Sequence, residues 1–285
     1  MTSDAPRTAP GSLYLVATPI GNLGDISARA AQTLRDVDFI AAEDTRVTRK
    51  LLEHLNIKKP LVSYYEHNRR ESGEKIKDRI LSGENCALVT DAGVPGISDP
   101  GEDLVRLCFE TDIAMTIIPG PCAAVSALSL SGLPSGRFTF EGFLSTSRKS
   151  RFTHLDELKT EKRTMVFYEA PHKLQRTLAD MLTAFGDRRV SISREMTKIY
   201  EQTIRCSISE AISHFEQTPP RGEFVLVIEG APDAPTPAKD ISEAIATANA
   251  HINNGMSTKD AIKKAAEEAA IPKNTLYNAM MKTDK

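Results

Sequence analysis

The chain has 285 residues, a length that suits about two domains, and its 40% hydrophobic and 26% charged residues are the balance of an ordinary globular protein. A formal net charge of -2 excludes a globally basic surface, so any contact with nucleic acid needs a local basic patch. No apolar run approaches bilayer length, and four scattered cysteines (Cys86, Cys108, Cys122, Cys206) without a CxxC pair argue against membrane insertion, zinc and a disulfide framework.

Residues 1–11 are polar and proline-bearing, without the apolar centre of a signal peptide; they are expected to be disordered, and the expected address is the cytoplasm. From Leu13 to Ile118 strand and helix patterns alternate. Strand-like runs fall at Leu13–Ala17, Phe39–Ala42, Leu61–Tyr64, Cys86–Val89 and Ile113–Ile118. The first intervening segment puts Ile26, Ala30, Leu34 and Val37 on one face, with Asp25 placed to cap it. The alternation predicts an α/β domain over 12–118 with a parallel sheet covered by helices. A second α/β domain, 119–230, opens with a helix-like Cys122–Leu130. Strand-like Phe138–Phe143, Thr164–Glu169, Val190–Arg194, Thr203–Ser207 and Phe224–Glu229 follow, with helical patterns at Lys173–Phe185 and Ser209–Gln217. This texture predicts a mixed, partly antiparallel sheet. Residues 231–240 are a proline-rich linker. The tail, 241–285, reads as helices Ile241–Ala250, Thr258–Ala270 and Asn274–Met281. Its Ala265, Ala266, Ala269, Ile271, Leu276 and Tyr277 have helix-turn-helix spacing, and suit equally a plain helical appendage that packs on the body or on a partner chain.

Three loops between strand-like and helix-like runs carry most of the functional signal: Thr18–Asp25, Thr90–Gly101 and Ile118–Ala124. Ligands of α/β proteins sit at the carboxyl ends of strands, where helix N-termini and free backbone N–H groups converge. Three glycine- and proline-bearing loops suggest one shared site, although each alone could be a tight turn. Gly21 and Gly24 lack dinucleotide-fingerprint spacing, and no P-loop motif occurs. Glu43, Asp44 and Arg46 end the second strand, as a ligand cradle or as caps of the helix near Thr45. His67, in the loop after the third strand, is a possible general base or a surface residue. Tyr168, Arg194 and Glu195 end strands of the second domain, lining a cleft or serving as ordinary surface. Ser145–Arg151 reads as a mobile basic loop, with Arg148, Lys149 and Arg151 suited to phosphate contacts or simply solvated.

The segments TPIGNLGDIS, AAEDTR, YYEHN, TDAGVPGISDPG, IPGPCAAVSALSLSGLPS, FYEAPHKL and SREMTK, in this order, resemble the tetrapyrrole methylase superfamily over about Ser12–Gly230. Within it they are similar to the branch that acts on small-subunit ribosomal RNA. The resemblance implies a two-domain α/β methyltransferase with a small helical tail, usually a homodimer, that uses S-adenosylmethionine and no metal. It further implies methylation of the 2′-hydroxyl of a decoding-centre cytidine in 16S rRNA on the small ribosomal subunit. Matching motifs assigns the cofactor to Pro19 and Gly21, to Asp91, Ala92, Gly93, Val94, Ile97 and Ser98, to Pro121 and Cys122, and to Tyr168. The substrate RNA falls to Arg148, Lys149, Arg151 and Arg194. Ser145 stands where relatives carry proline, which leaves the course of the basic loop open.

A ribose hydroxyl becomes nucleophilic as its proton is withdrawn. Candidates for that role are Asp25, Glu43, Asp44, His67 and Glu195, with Arg46 or Arg194 as electrostatic partners, and the Glu43–Asp44–Arg46 cluster is favoured. No Lys-Asp-Lys-Glu tetrad is identifiable. The competing readings are methylation of a small tetrapyrrole or a protein, and an RNA-binding module without turnover.

Overall fold

Short apolar runs become strands, and in this chain they build two sheets. The computed structural model describes residues 9–232, 241–269 and 271–283. The first sheet holds β1 (Ser12–Val16), β2 (Phe39–Ala42), β3 (Leu61–Ser63), β4 (Cys86–Val89) and β5 (Ala114–Ile118), all parallel, in the order β3-β2-β4-β1-β5. Every residue of β2 and β4 is buried, which is why these strands read as unbroken apolar runs without alternation.

Helices α1 (Ala28–Asp36) and α2 (Thr45–His54) cover one face, packing Ala30, Leu34 and Leu52 against Val16, Ile40, Ala42 and Val89. Helices α3 (Arg69–Leu81) and α4 (Glu102–Glu110) cover the other, packing Ile76, Ile80, Leu104 and Cys108 against Leu13, Phe39 and Leu88. Two expectations at the N-terminus change. Ser27, not Asp25, caps α1, its hydroxyl accepting from the Ala30 N–H, because Leu23–Asp25 closes first as a 3-10 turn capped by Asn22. Gly11, expected within the disordered start, is buried and its N–H donates to the Ile80 carbonyl.

The second sheet runs β6 (Phe138–Phe143), β7 (Thr164–Glu169), β10 (Phe224–Ile228), β8 (Arg189–Arg194), β9 (Gln202–Ser207). Only β6 and β7 pair in parallel, so the sheet is mixed as expected. Helix α5 (Ala123–Ser131) lies on one face, with Ala124, Ala127 and Leu128 against Val166, Val225 and Val227. Helices α6 (Arg148–Glu157), α7 (Leu174–Phe185) and α8 (Ile208–Gln217) close the other face over Phe167, Ile192, Phe224 and Leu226. Both sheets belong to one compact unit that ends at Ala231.

The expected linker, 231–240, lies outside the described residues from 233 onward. The tail is a separate unit with α9 (Ile241–Asn253), α10 (Thr258–Glu268) and α11 (Lys273–Thr283). Ala265, Ala266 and Leu276, singled out by their spacing, are buried with Ala244, Ala248, Ile262 and Met280 in the tail's own core. Tyr277 is exposed. No helix among the described residues is long and apolar enough to cross a membrane.

Candidate functional site

The strand order creates a crevice between β1 and β4. The connection after β1 runs through α1 on one face to β2, and the connection after β4 runs through α4 on the other face to β5. Right-handed crossovers leaving in opposite directions open a gap at the carboxyl ends of these two strands, the usual ligand position in a parallel sheet. The loops that leave there meet across the gap. Thr18 N–H donates to the Gly93 carbonyl at 2.9 Å, and Gly93 N–H donates to the Thr18 carbonyl at 3.1 Å. The Thr18 hydroxyl also donates to the Thr90 carbonyl at 3.1 Å.

The third loop closes over this bridge. Gly93 has φ +89°, a conformation that glycine adopts freely. A side-chain carbon there would lie 3.7 Å from Ile20 Cγ2 and 3.8 Å from the Pro121 carbonyl, so the missing Cβ leaves a cradle facing all three loops. From the second sheet, the Tyr168 hydroxyl accepts a hydrogen bond from Ala124 N–H at 3.2 Å, tying β7 to the start of α5 beside Cys122. The Tyr168 ring lies edge-on to Phe140 (5.1 Å) and tilted against Phe143 (5.5 Å), and burial holds its phenol up at about 12, fully protonated at neutrality. At the β6 bulge, a Cβ on Gly142 would come within 3.0 Å of Ser98 Oγ, which draws the long loop against the second sheet.

Carboxylates border the crevice. Asp44 N–H donates to Asp91 Oδ1 at 3.1 Å, and Asp91 N–H donates to Glu43 Oε2 at 3.4 Å, so the ends of β2 and β4 exchange backbone-to-carboxylate bonds. Burial is the main cause that raises both the Glu43 and the Asp91 carboxyls above their ordinary values, with the charges of Asp91 and Asp44 adding at Glu43 and that of Asp44 adding at Asp91. The favoured cluster therefore divides. Asp44 is the N-cap of α2 and grips Arg46 through two oxygens; its carboxyl sits at about 2, too acidic to accept a proton at neutrality. Arg46 is largely exposed and committed to Asp44. Of the three, Glu43 alone offers Asp91 a carboxylate oxygen, accepting from its N–H.

Sequence reasoning missed Asp99. It is half-buried, has no hydrogen bond or ion pair among the described residues, and is held up to about 7 by burial and then by the charges of Glu43, Asp91 and Glu223. Its motif was visible, but the acids that surround it come from three different elements. Among the remaining candidates, Asp25 and His67 are exposed, the latter edge-on to Tyr65. Glu195 is held by Lys198 at 3.0 Å.

The basic residues split as well. Ser145–Arg151, expected as a mobile loop, includes the first turn of α6. Arg148 and Lys149 are exposed there, with Arg148 over the Phe152 ring. Arg151 points inward: it is 3% exposed, pairs with Asp180 at 2.6 Å and donates to the Ser145 and Thr146 carbonyls. Its cation is a structural tie between α6 and α7. Arg194 ends β8 half-buried, with a buried Nε that has no partner. The buried hydroxyls of Thr90, on the second converging loop, and Thr197, on the loop between β8 and β9, also lack partners. Among the described residues no set of three or more His, Cys, Asp or Glu could hold a metal ion.

The tetrapyrrole (corrin/porphyrin) methylase family model matches residues 12–212. Ribosomal RNA small subunit methyltransferase I of Halalkalibacterium halodurans is 46% identical over 276 residues, covering 95% of each chain. Among solved structures, a cobalt precorrin-4 methyltransferase superposes with a TM-score of 0.61 at 16% identity, covering 80% of this chain and 98% of its own. The uroporphyrin-III C-methyltransferase of Thermus thermophilus in complex with S-adenosylhomocysteine gives 0.55 at 14% identity, covering 77% of this chain and 97% of its own. These two establish the fold.

Proposed function

The chain belongs to the tetrapyrrole methylases, and on that premise we propose that it transfers a methyl group from S-adenosylmethionine to small-subunit ribosomal RNA, at the ribose 2′-hydroxyl of a decoding-centre cytidine, in the cytoplasm. The observation that carries the reading is the bridged crevice at Thr18 and Gly93, roofed by Pro121 and walled by Tyr168. Its similarity over almost the whole length to a ribosomal RNA small subunit methyltransferase supports the substrate class.

The residues fit the cofactor. The Gly93 cradle admits a ligand edge against backbone, the unpartnered Thr90 hydroxyl offers a hydrogen bond, and the half-buried carboxylates of Glu43 and Asp99 complement a cation. Pro19, Gly21, Asp91, Ala92, Gly93, Val94, Ile97, Ser98, Pro121, Cys122 and Tyr168 would hold it. When bound, S-adenosylmethionine supplies an electrophilic methyl on a sulfonium; the acceptor oxygen gains the carbon as the sulfur keeps the bonding pair. The loops align the oxygen with that methyl, and alignment of this kind supplies roughly 7–11 kcal/mol of a barrier. Glu43, Asp91 and Asp99 form the acidic wall from which the hydroxyl proton acceptor is drawn, worth about 10²–10⁴-fold. Their raised proton affinity suits that task, whereas Asp44 is too acidic.

Two surfaces complete the reading. Arg148, Lys149 and Arg194 contact RNA. The edge strand β5 leaves Ala114, Thr116 and Ile117 exposed, and α5, apolar nearly all round, leaves Val125 and Leu130 exposed. A second copy covering this face would form the homodimer, and light scattering of the purified protein measures that mass directly.

The testing experiment combines labelled S-adenosylmethionine with small subunits from cells lacking this protein, followed by nuclease digestion and mass spectrometry. One methyl on a cytidine ribose of the decoding region is the expected result. Transfer to a tetrapyrrole or a protein alone, or cofactor binding without any transfer, overturns it.

A further inference from the structure

Ile199 and Tyr200, at the tip of the β8–β9 loop, are 94% and 75% exposed, the two most exposed large apolar side chains among the described residues. An apolar pair this open on a loose loop would be unremarkable surface, but this loop is held. Met196 is buried against α5 and the second sheet. Glu195 and Thr197 take φ +49° and +66°, and a left-handed β-branched residue is a genuine backbone outlier of the kind that persists at functional sites. Glu195 accepts from Lys198 Nζ at 3.0 Å and from Glu223 N–H at 3.2 Å, and Thr197 N–H donates to Glu201 Oε2 at 2.8 Å.

The loop is also seated on the first loop of the crevice. A Cβ on Gly21 would fall 2.5 Å from Lys198 Cγ, 2.8 Å from Thr197 Oγ1 and 3.0 Å from the Met196 carbonyl. Only glycine permits that approach. The tip is therefore fixed relative to the crevice and projects two apolar side chains beside it.

Resting on the ribosomal RNA reading above, we propose that Ile199 and Tyr200 form a stacking platform for an unpaired nucleobase of the RNA substrate, close to the nucleotide that receives the methyl group. Single-stranded RNA is recognised largely by aromatic side chains that stack on splayed bases, and the stacking tolerates any base because every base has a π-face. The size of the patch favours this occupant over a second copy of the chain. An aromatic side chain buries about 150–250 Å², so the pair supplies well under half of the roughly 800 Å² per partner of a standard interface. Local charge points the same way. Glu195, Glu201 and Glu223 balance Arg194, Lys198 and Arg221 in number, and Lys198 is already shared between Glu195 and Glu223 at 3.0 and 3.2 Å. The tip offers phosphates no net attraction, so it grips a base face and leaves most of the backbone to other surfaces.

The test compares Tyr200→Ala and Tyr200→Trp with the wild type in steady-state methyl transfer to small subunits at several salt concentrations, with cofactor affinity by calorimetry and mass by light scattering. Tyr200→Ala is expected to raise KM for subunits about 5- to 100-fold, the range for removal of one stacking aromatic. Tyr200→Trp restores it, while cofactor affinity, particle mass and the salt slope stay as in the wild type. An unchanged KM in Tyr200→Ala overturns the proposal, and so does a reduced particle mass, which would make the tip a copy–copy contact. A wild type that transfers nothing to subunits would instead bring down the RNA reading, and this platform with it.

Discussion

Asp99→Asn tests the electrostatics of the crevice through stability alone. Burial and the charges of Glu43, Asp91 and Glu223 hold the Asp99 carboxyl up to about 7, against 3.8 for a free one. Because the folded value lies above the unfolded one, the fold favours the protonated carboxyl. That contribution is fully present below pH 3.8 and is lost as pH rises through about 7. Three units at about 1.36 kcal/mol each would give about 4 kcal/mol. Asp99 is only partly buried, and solvent screening brings the figure to about 2 kcal/mol. Asparagine keeps the shape and cannot ionise, so at about pH 3, below the unfolded value of 3.8, the variant and wild type should be about equally stable. By pH 9 the variant should be about 2 kcal/mol more stable, or about 4–8 °C higher in Tm for a body of this size. Urea unfolding from about pH 3 to about pH 9 at constant ionic strength measures the divergence, which opens above pH 3.8 and levels off above about 7. Parallel stability curves would refute the reasoning and return Asp99 to ordinary surface.

Gly93→Ala keeps space for its Cβ but forces a left-handed backbone, so a stability loss of about 1–2 kcal/mol is expected. Calorimetry should show a weaker S-adenosylmethionine complex, and unchanged affinity would remove Gly93 from the site. Arg151→Ala leaves the partly buried Asp180 without its cation and should cost about 1–3 kcal/mol in urea unfolding. The paired Arg148→Ala, Lys149→Ala variant should leave stability alone and lower the salt slope of RNA binding by about 2, one for each lost phosphate contact.

The sequence revealed those features that depend on neighbours along the chain. β2 and β4 were found residue for residue because strands buried on both faces are unbroken apolar runs, bounded here by acids and turn residues. Asp44 was placed correctly as a possible cap because capping is set within three residues. Asp25 failed for a local reason: Asn22 caps a 3-10 turn first, and Ser27 is an equally competent cap one step later. The failures that touch chemistry are non-local. Arg151 looks like its basic neighbours until Asp180 arrives from α7, 29 residues away. Asp99 gains its proton affinity from Glu43, Asp91 and Glu223, and no window of sequence contains all four. The same holds for the Gly21 contact with Lys198, where the spacing of glycines in the first loop gave no sign of the residue that presses on it.

Charge divides the work of the proposed reaction among separate surfaces. S-adenosylmethionine carries a sulfonium that the reaction neutralises, so the acidic wall of Glu43, Asp91 and Asp99 favours the charged methyl donor over its neutral thioether product. The same wall disfavours phosphates, which raises the question of how a polyanion reaches it. Desolvation blunts the conflict: it raises all three carboxyls, and Asp99, at about 7, is partly protonated near neutrality. Asp44, which does stay charged, is neutralised by the exposed Arg46 at 2.6 Å. Phosphate attraction then falls to Arg148 and Lys149 at the start of α6, away from the carboxylates, and the local grip beside the crevice is left to Ile199 and Tyr200, which carry no charge. On this division, raising the salt should weaken RNA binding through α6 while leaving the preference for the methyl donor over its product intact, because the carboxylates that set that preference are partly shielded from solvent ions.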